Sequence, residues 1–194
     1  MPADSAPDVQ ARVIARVKDE IAKDHPAAEG MVAASAAKIE GLRAFIEEKG
    51  LVGLPPAESL RVEPMPAFKR AGIGAEYLSP GLLGPPEAWR GTYYVEPPDP
   101  AWPPEKVESY LRGWNETEIA LTAAHEAYPG HHVQAWWSLR ERSPLRTALW
   151  SGTFVEGWAV YATSLLVGQG YGGERNDRYL FADLRGWMRV AANA

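Results

Sequence analysis

Three of the four histidines in the chain fall within eight residues, in the run His125-Glu126-Ala127-Tyr128-Pro129-Gly130-His131-His132. Histidine is the commonest transition-metal ligand among side chains. A His-Glu pair followed closely by another His lets a helix offer two imidazoles to zinc and a carboxylate to a zinc-bound water. Glu156, in Phe154-Val-Glu-Gly-Trp-Ala-Val-Tyr161, is a candidate third ligand. Two neutral imidazoles and one carboxylate leave a fourth position for water, whose pKa zinc lowers to about 7. Glu126 is then the candidate base that takes the water's proton and passes it to a leaving amine. The chemistry these residues predict is zinc-dependent hydrolysis of peptides or related amides.

The spacing departs from the usual His-Glu-x-x-His, because the fourth residue after His125 is Pro129. On an unbroken helix His131 would point about 120° away from His125, and His132 would lie roughly 10 Å further along the axis. The helix cannot be unbroken. Pro129 lacks an amide donor and clashes with the carbonyl four residues back, and it disfavours the α region for Tyr128. A bulge at Pro129-Gly130 that folds out two residues would return His131 to the metal. Spacing alone leaves His131 and His132 both open as the second ligand. A tetrahedral intermediate needs a further donor, for which His132, Tyr128, Tyr161 and Tyr93 are candidates.

The run HEAYPGHHVQ (His125 to Gln134), with Glu156-Gly-Trp-Ala-Val-Tyr161 downstream and Gly91-Thr-Tyr-Tyr-Val95 upstream, resembles DUF885. This is a bacterial family of uncharacterised proteins grouped with the zincins whose third ligand is glutamate, the gluzincins. Its pattern is His-Glu-x-x-Pro-Gly-His, with a variable position after the last His. The resemblance implies His125, His131 and Glu156 as zinc ligands. It covers the chain from about Ile21 to the end and corresponds to the central to C-terminal part of relatives that run several hundred residues. Thr163 stands where relatives often carry a glutamate, which puts an outer partner of the metal site in question.

The ligands need rigid elements. Asn115 can cap a helix from Glu116 to Tyr128, with Glu118 placed as in a capping box. Helix is expected to resume after Gly130 as far as Arg140, and again over Val155 to Leu166 and Asn176 to Ala192. Upstream, Val9, Val13, Ile14, Val17 and Ile21 recur at helical spacing between Asp8 and Lys23. A second helix is expected over Ala28 to Glu48 and another over Glu105 to Arg112. Residues 51–104 are rich in Pro and Gly and suit short strands, Ser59 to Glu63 and Thr92 to Val95. Tyr93 and Tyr94 are placed as substrate contacts on an edge strand along which an extended peptide would pair. Trp136, Trp137, Trp150 and Trp158 are expected in the core. Arg185 and Arg189 share one helix, with a solvated face as the default and a substrate carboxylate as the alternative.

The expected fold is mainly α with a small β region, an incomplete zincin-like unit. Residues 1–50 form N-terminal helices, 51–104 the strand region and 105–194 the helical metal-site region, as one domain or part of a larger one. The 194 residues are 46% hydrophobic and 23% charged, ordinary values for a globular protein. The net charge of −5 and the lack of a basic run disfavour nucleic acid. There is no cysteine, which excludes disulfides, thiolate ligands and a cysteine nucleophile. No apolar stretch approaches membrane-spanning length, and the first residues lack the basic start of a signal peptide, so the chain as given reads as cytoplasmic. Partners are expected to be a peptide or amide substrate, with a second copy or a further segment covering any exposed apolar surface. Two alternatives stand beside the hydrolase: a zinc-holding unit without catalysis, and a helical interaction domain whose histidines bind no metal. Neither a Gly-x-Ser-x-Gly elbow nor a Gly-rich phosphate loop occurs.

Overall fold

In the computed structural model, which describes residues 6–81, 89–140, 145 and 149–193, the chain is mainly helical with one small sheet. The helices are α1 (Ala6–Ala22), α2 (Met31–Lys49), α3 (Pro104–Gly113), α4 (Glu116–Glu126), α5 (His131–Leu139), α6 (Gly152–Gly168) and α7 (Asn176–Asn193). The strands are β1 (Leu60–Pro64), β2 (Ala75–Leu78) and β3 (Gly91–Val95).

The sheet order is β1-β3-β2. β1 runs parallel to β3, from Leu60 opposite Gly91 to Pro64 opposite Val95, and β2 runs antiparallel, from Ala75 opposite Val95 to Leu78 opposite Thr92. β3 is therefore central, and β2 is an edge strand. This corrects the expectation that Gly91 to Val95 lies at the edge: both of its backbone sides are already paired. β2 was not foreseen, because four residues between glycines and a proline carry too little alternation to read as a strand.

The core explains why these elements meet. Met31, Ile39, Leu42 and Ile46 form one buried face of α2, at helical spacing. They join Tyr93 and Val95 from β3 with Ala123, Ala124, Ala127, Tyr128 and Val133 from the metal-motif region. Small residues on α4 permit close packing against α2. A second cluster, Leu121, Val167 and Ala182, ties α4 to α6 and α7. The asparagine cap of α4 is present: Asn115 Oδ1 accepts from the N–H groups of Thr117 and Glu118 at 3.1 and 3.2 Å. Glu118 does not close a capping box but reaches Arg185 on α7 at 3.4 Å.

Two sets of apolar residues are more exposed than their types suggest, and for the tryptophans this corrects the expectation that they lie in the core. Only Ile21 of the α1 stripe is buried, while Val9, Val13, Ile14 and Val17 are exposed. Trp137 and Trp150 are exposed as well, and Trp136 and Trp158 are half-buried. Two of these indoles tie the rim of the core through their N–H: Trp137 donates to Gly53 O at 2.9 Å and Trp158 to Pro129 O at 3.0 Å.

Candidate metal centre

α4 ends at Glu126, and the chain leaves the helix through Ala127 (φ −110°, ψ −92°) and a cis Tyr128–Pro129 peptide. The Ala127 N–H still reaches Ala123 O at 2.8 Å, but the next carbonyl, Ala124 O, is taken by the N–H of Gly130 at 2.9 Å. Gly130 thus occupies the hydrogen-bonding place that residue 128 would hold in a regular helix. Two residues are folded out, and His131 comes back beside His125, with ring centroids 4.7 Å apart. Glycine is required at 130 by close approach: a Cβ there would lie 1.7 Å from the carbonyl oxygen of His125. Its φ of −72° is one that any residue adopts.

α6 supplies the third group. Its cap is Ser151, which accepts from the Phe154 N–H at 3.4 Å, so the helix starts before the expected Val155. Glu156 Oε2 lies 3.6 Å from His125 Nε2, and Oε1 lies 3.7 Å from His131 Nε2. One ligand atom from each of His125, His131 and Glu156 falls within 4.8 Å of the others. Trp158, two residues beyond Glu156, donates its indole N–H to Pro129 O and Gly130 O at 3.0 and 3.3 Å. α6 thereby holds both the carboxylate, the third ligand, and the bulge that presents the second imidazole.

The electrostatics fit a metal. Burial lowers the pKa of His125, aided by His131 and Arg189 and opposed by Glu156. Burial likewise lowers His131, again opposed by Glu156. Both shifts favour the neutral imidazole, the form that ligates a metal. His131 Nδ1 is buried without a hydrogen-bond partner among the described residues, so packing rather than an outer acceptor orients this ring. Glu156 is exposed on its helix. Thr163 bonds back to Ala159 O in its own helix at 2.9 Å.

Glu126 sits at the edge of β2, where its Oε2 accepts from the Tyr77 N–H at 3.0 Å. Burial pushes its carboxyl up to about 7, opposed by that N–H and reinforced by Glu156 and Glu76. A carboxylate with a pKa near neutrality is matched to proton transfer at neutral pH.

His132 has a different place. It is 1% exposed, with its ring set edge-on to Tyr77 and Tyr128. Ser59 donates its hydroxyl to Pro56 O, so Ser59 Oγ accepts from His132 Nε2–H at 3.0 Å. His132 Nδ1 then accepts from the Tyr77 hydroxyl at 3.1 Å. Burial lowers its pKa to about 4, with Arg43 adding to the effect, and the ring stays neutral. It is a tie between α5 and β2 rather than a group that can reach a reacting atom.

The remaining predicted residues are not brought together. Tyr93, 1% exposed, is part of the core and offers no surface to a substrate. Tyr94 lies on the other face of β3 under the Lys69 ammonium, 5.3 Å from the ring centroid. Tyr161 is exposed beside Trp158, outside the linings of the two cavities that meet at the triad. Tyr128 is buried against Arg43.

Sequence reasoning missed Tyr77 and Glu96. Glu96 is buried and accepts from the N–H groups of Gly72, Ile73 and Gly74 at 2.9, 2.9 and 3.2 Å, which fixes the turn that leads into β2. Gly91 makes room for the Tyr77 ring, since a Cβ there would lie 2.4 Å from it. A lone acid after a strand, preceded by a distant Gly-rich turn, is the only signal that could have marked Glu96.

Over residues 4–194 the chain matches the family described as bacterial protein of unknown function (DUF885), and it belongs to that family. The match begins well before Ile21, so the α1 region is part of it. A solved structure described as a "putative lipoprotein of unknown function" from Shewanella oneidensis is 26% identical, with a TM-score of 0.74, over 94% of this chain and 32% of that one. A "putative lipoprotein" from Colwellia psychrerythraea is 19% identical, with a TM-score of 0.57, over 91% of this chain and 33% of that one, a likeness of fold. The chain spans about a third of the length of each. No curated protein matches it. Among the described residues no helix is long and apolar enough to cross a membrane.

Proposed function

We propose that the chain carries the metal centre of a zincin-like, zinc-dependent hydrolase acting on peptides or related amides. Its ligands are His125, His131 and Glu156, and its base is Glu126. The observation that carries this reading is the convergence of three ligand atoms within 4.8 Å, from three helices, two of them joined by the bulge. Two imidazoles and a carboxylate are the donor set of a hydrolytic zinc site with one open position. Zinc held there would polarise a water and the substrate carbonyl. The chain's own part is to position and to move a proton. The Tyr77 N–H fixes one oxygen of Glu126, and the other oxygen takes a proton from water and returns it to the leaving amine. The outer edge of β2, beside Glu126, replaces β3 as the strand along which an extended substrate would pair.

Elemental analysis of the purified protein, beside a His125→Ala/His131→Ala variant, tests the centre. About one zinc per chain is expected, and the variant should lose it. Glu126→Gln should keep the zinc and lose peptide hydrolysis by about 10²- to 10⁴-fold. No zinc after incubation with the metal would sink the proposal. Zinc with no cleavage of any peptide pool by the unaltered chain would leave a metal-holding unit without catalysis.

A further inference from the structure

The triad stands where two cavities meet. His125 and Glu126 line one of about 720 Å³, which α7 walls with Arg185 and Arg189. His131 and Glu156 line the other, of about 460 Å³, whose wall is mostly apolar, with Ala135, Leu139, Trp150 and Val155 beside the polar Gln134 and Ser138. The charges on the first side are not all committed. Arg185 pairs with Glu118 at 3.4 Å. Asp183 accepts from the Ser164 hydroxyl at 2.9 Å, and Glu126 is held by Tyr77. Arg189 has no hydrogen-bond or ion-pair partner among the described residues, yet its charge acts on both His125 and Glu118. A guanidinium with five fixed donors, left unpaired beside a reaction centre, is suited to a planar oxyanion.

Building on the hydrolase reading, we infer that Arg189 binds a substrate carboxylate. The substrate class is then a peptide or acyl-amino acid with an apolar group on the His131 side and a carboxylate on the His125 side of the cleaved bond. Trimming near a free carboxyl end, or before an acidic residue, follows from this placement.

The test needs no known substrate. The zinc-loaded chain is titrated with ω-mercaptoalkanoates of three to six carbons and with the matching mercaptoalkanamides. In each pair the thiol is common and only the carboxylate differs. At one chain length the acid should bind at least about tenfold tighter than the amide, a typical effect of a charge-assisted pair. Arg189→Gln should bring the ratio near one with zinc content unchanged, and Arg189→Lys should restore part of it. Equal binding of acid and amide at every length, or a preference that survives Arg189→Gln, overturns the inference while leaving the metal centre intact. A chain that takes up no zinc overturns the underlying reading and this one with it.

Discussion

At position 130 a single methyl group decides whether His131 can reach His125. Gly130→Ala would drive Cβ into the His125 carbonyl, a backbone atom that cannot step aside. The expected result is at least tenfold weaker zinc binding, measured by competition with a chromogenic chelator. His132→Ala acts differently: it removes the tie between α5 and Tyr77 but no ligand. That variant should keep about one zinc per chain while its thermal midpoint falls, because a buried ring and two hydrogen bonds are lost. Loss of zinc in His132→Ala together with retention in His131→Ala would reverse the ligand assignment. His125, Glu126 and His131 could be singled out because they are close in sequence and chemically unusual, and Glu156 through its Gly-Trp-Ala-Val-Tyr context. Tyr77 could not, since it serves Glu126 through its backbone amide, a group every residue but proline carries. Trp158 was legible only as an aromatic; its indole bond to the bulge depends on how α6 lies against α4.

Among the elements, α4 carries the base and the first ligand and depends on its cap. Asn115→Ala removes the acceptor of two N–H groups at the start of this helix and should cost about 1 kcal/mol in unfolding free energy, read by chemical denaturation. The metal end lies more than two turns away, so zinc affinity of the folded variant should change little. The helices were readable in outline, because capping residues, prolines and apolar spacing bound them within a few positions. The sheet was half readable. β1 and β3 have β-branched and aromatic residues, whereas β2 is held by its partner and by the turn that Glu96 fixes. The mistaken edge followed from missing that third strand. The stripe on α1 shows the limit of periodicity: spacing tells that Val9, Val13, Ile14 and Val17 share a face, but not what covers it.

For the whole molecule, the triad joins two chain segments, α4–α5 and α6. A ligand that binds only the folded arrangement stabilises it by RT ln(1 + [L]/Kd). At a free zinc concentration a thousandfold above Kd, the gain is about 4 kcal/mol. Calorimetry should therefore record a rise of several degrees in the melting temperature on adding zinc, absent in His125→Ala/His131→Ala. An equal rise in both proteins would assign the stabilisation to some other site.

The indole of Trp158 has a consequence for how the centre would come apart. α6 bears Glu156 and, two residues on, the N–H that grips the Pro129 and Gly130 carbonyls. A displacement of this helix withdraws the carboxylate and slackens the loop under His131 in one motion. Coordination would then be lost as a unit, with no long-lived species holding the ion by two groups. Metal release would follow a single kinetic phase, and its rate would report the opening of α6.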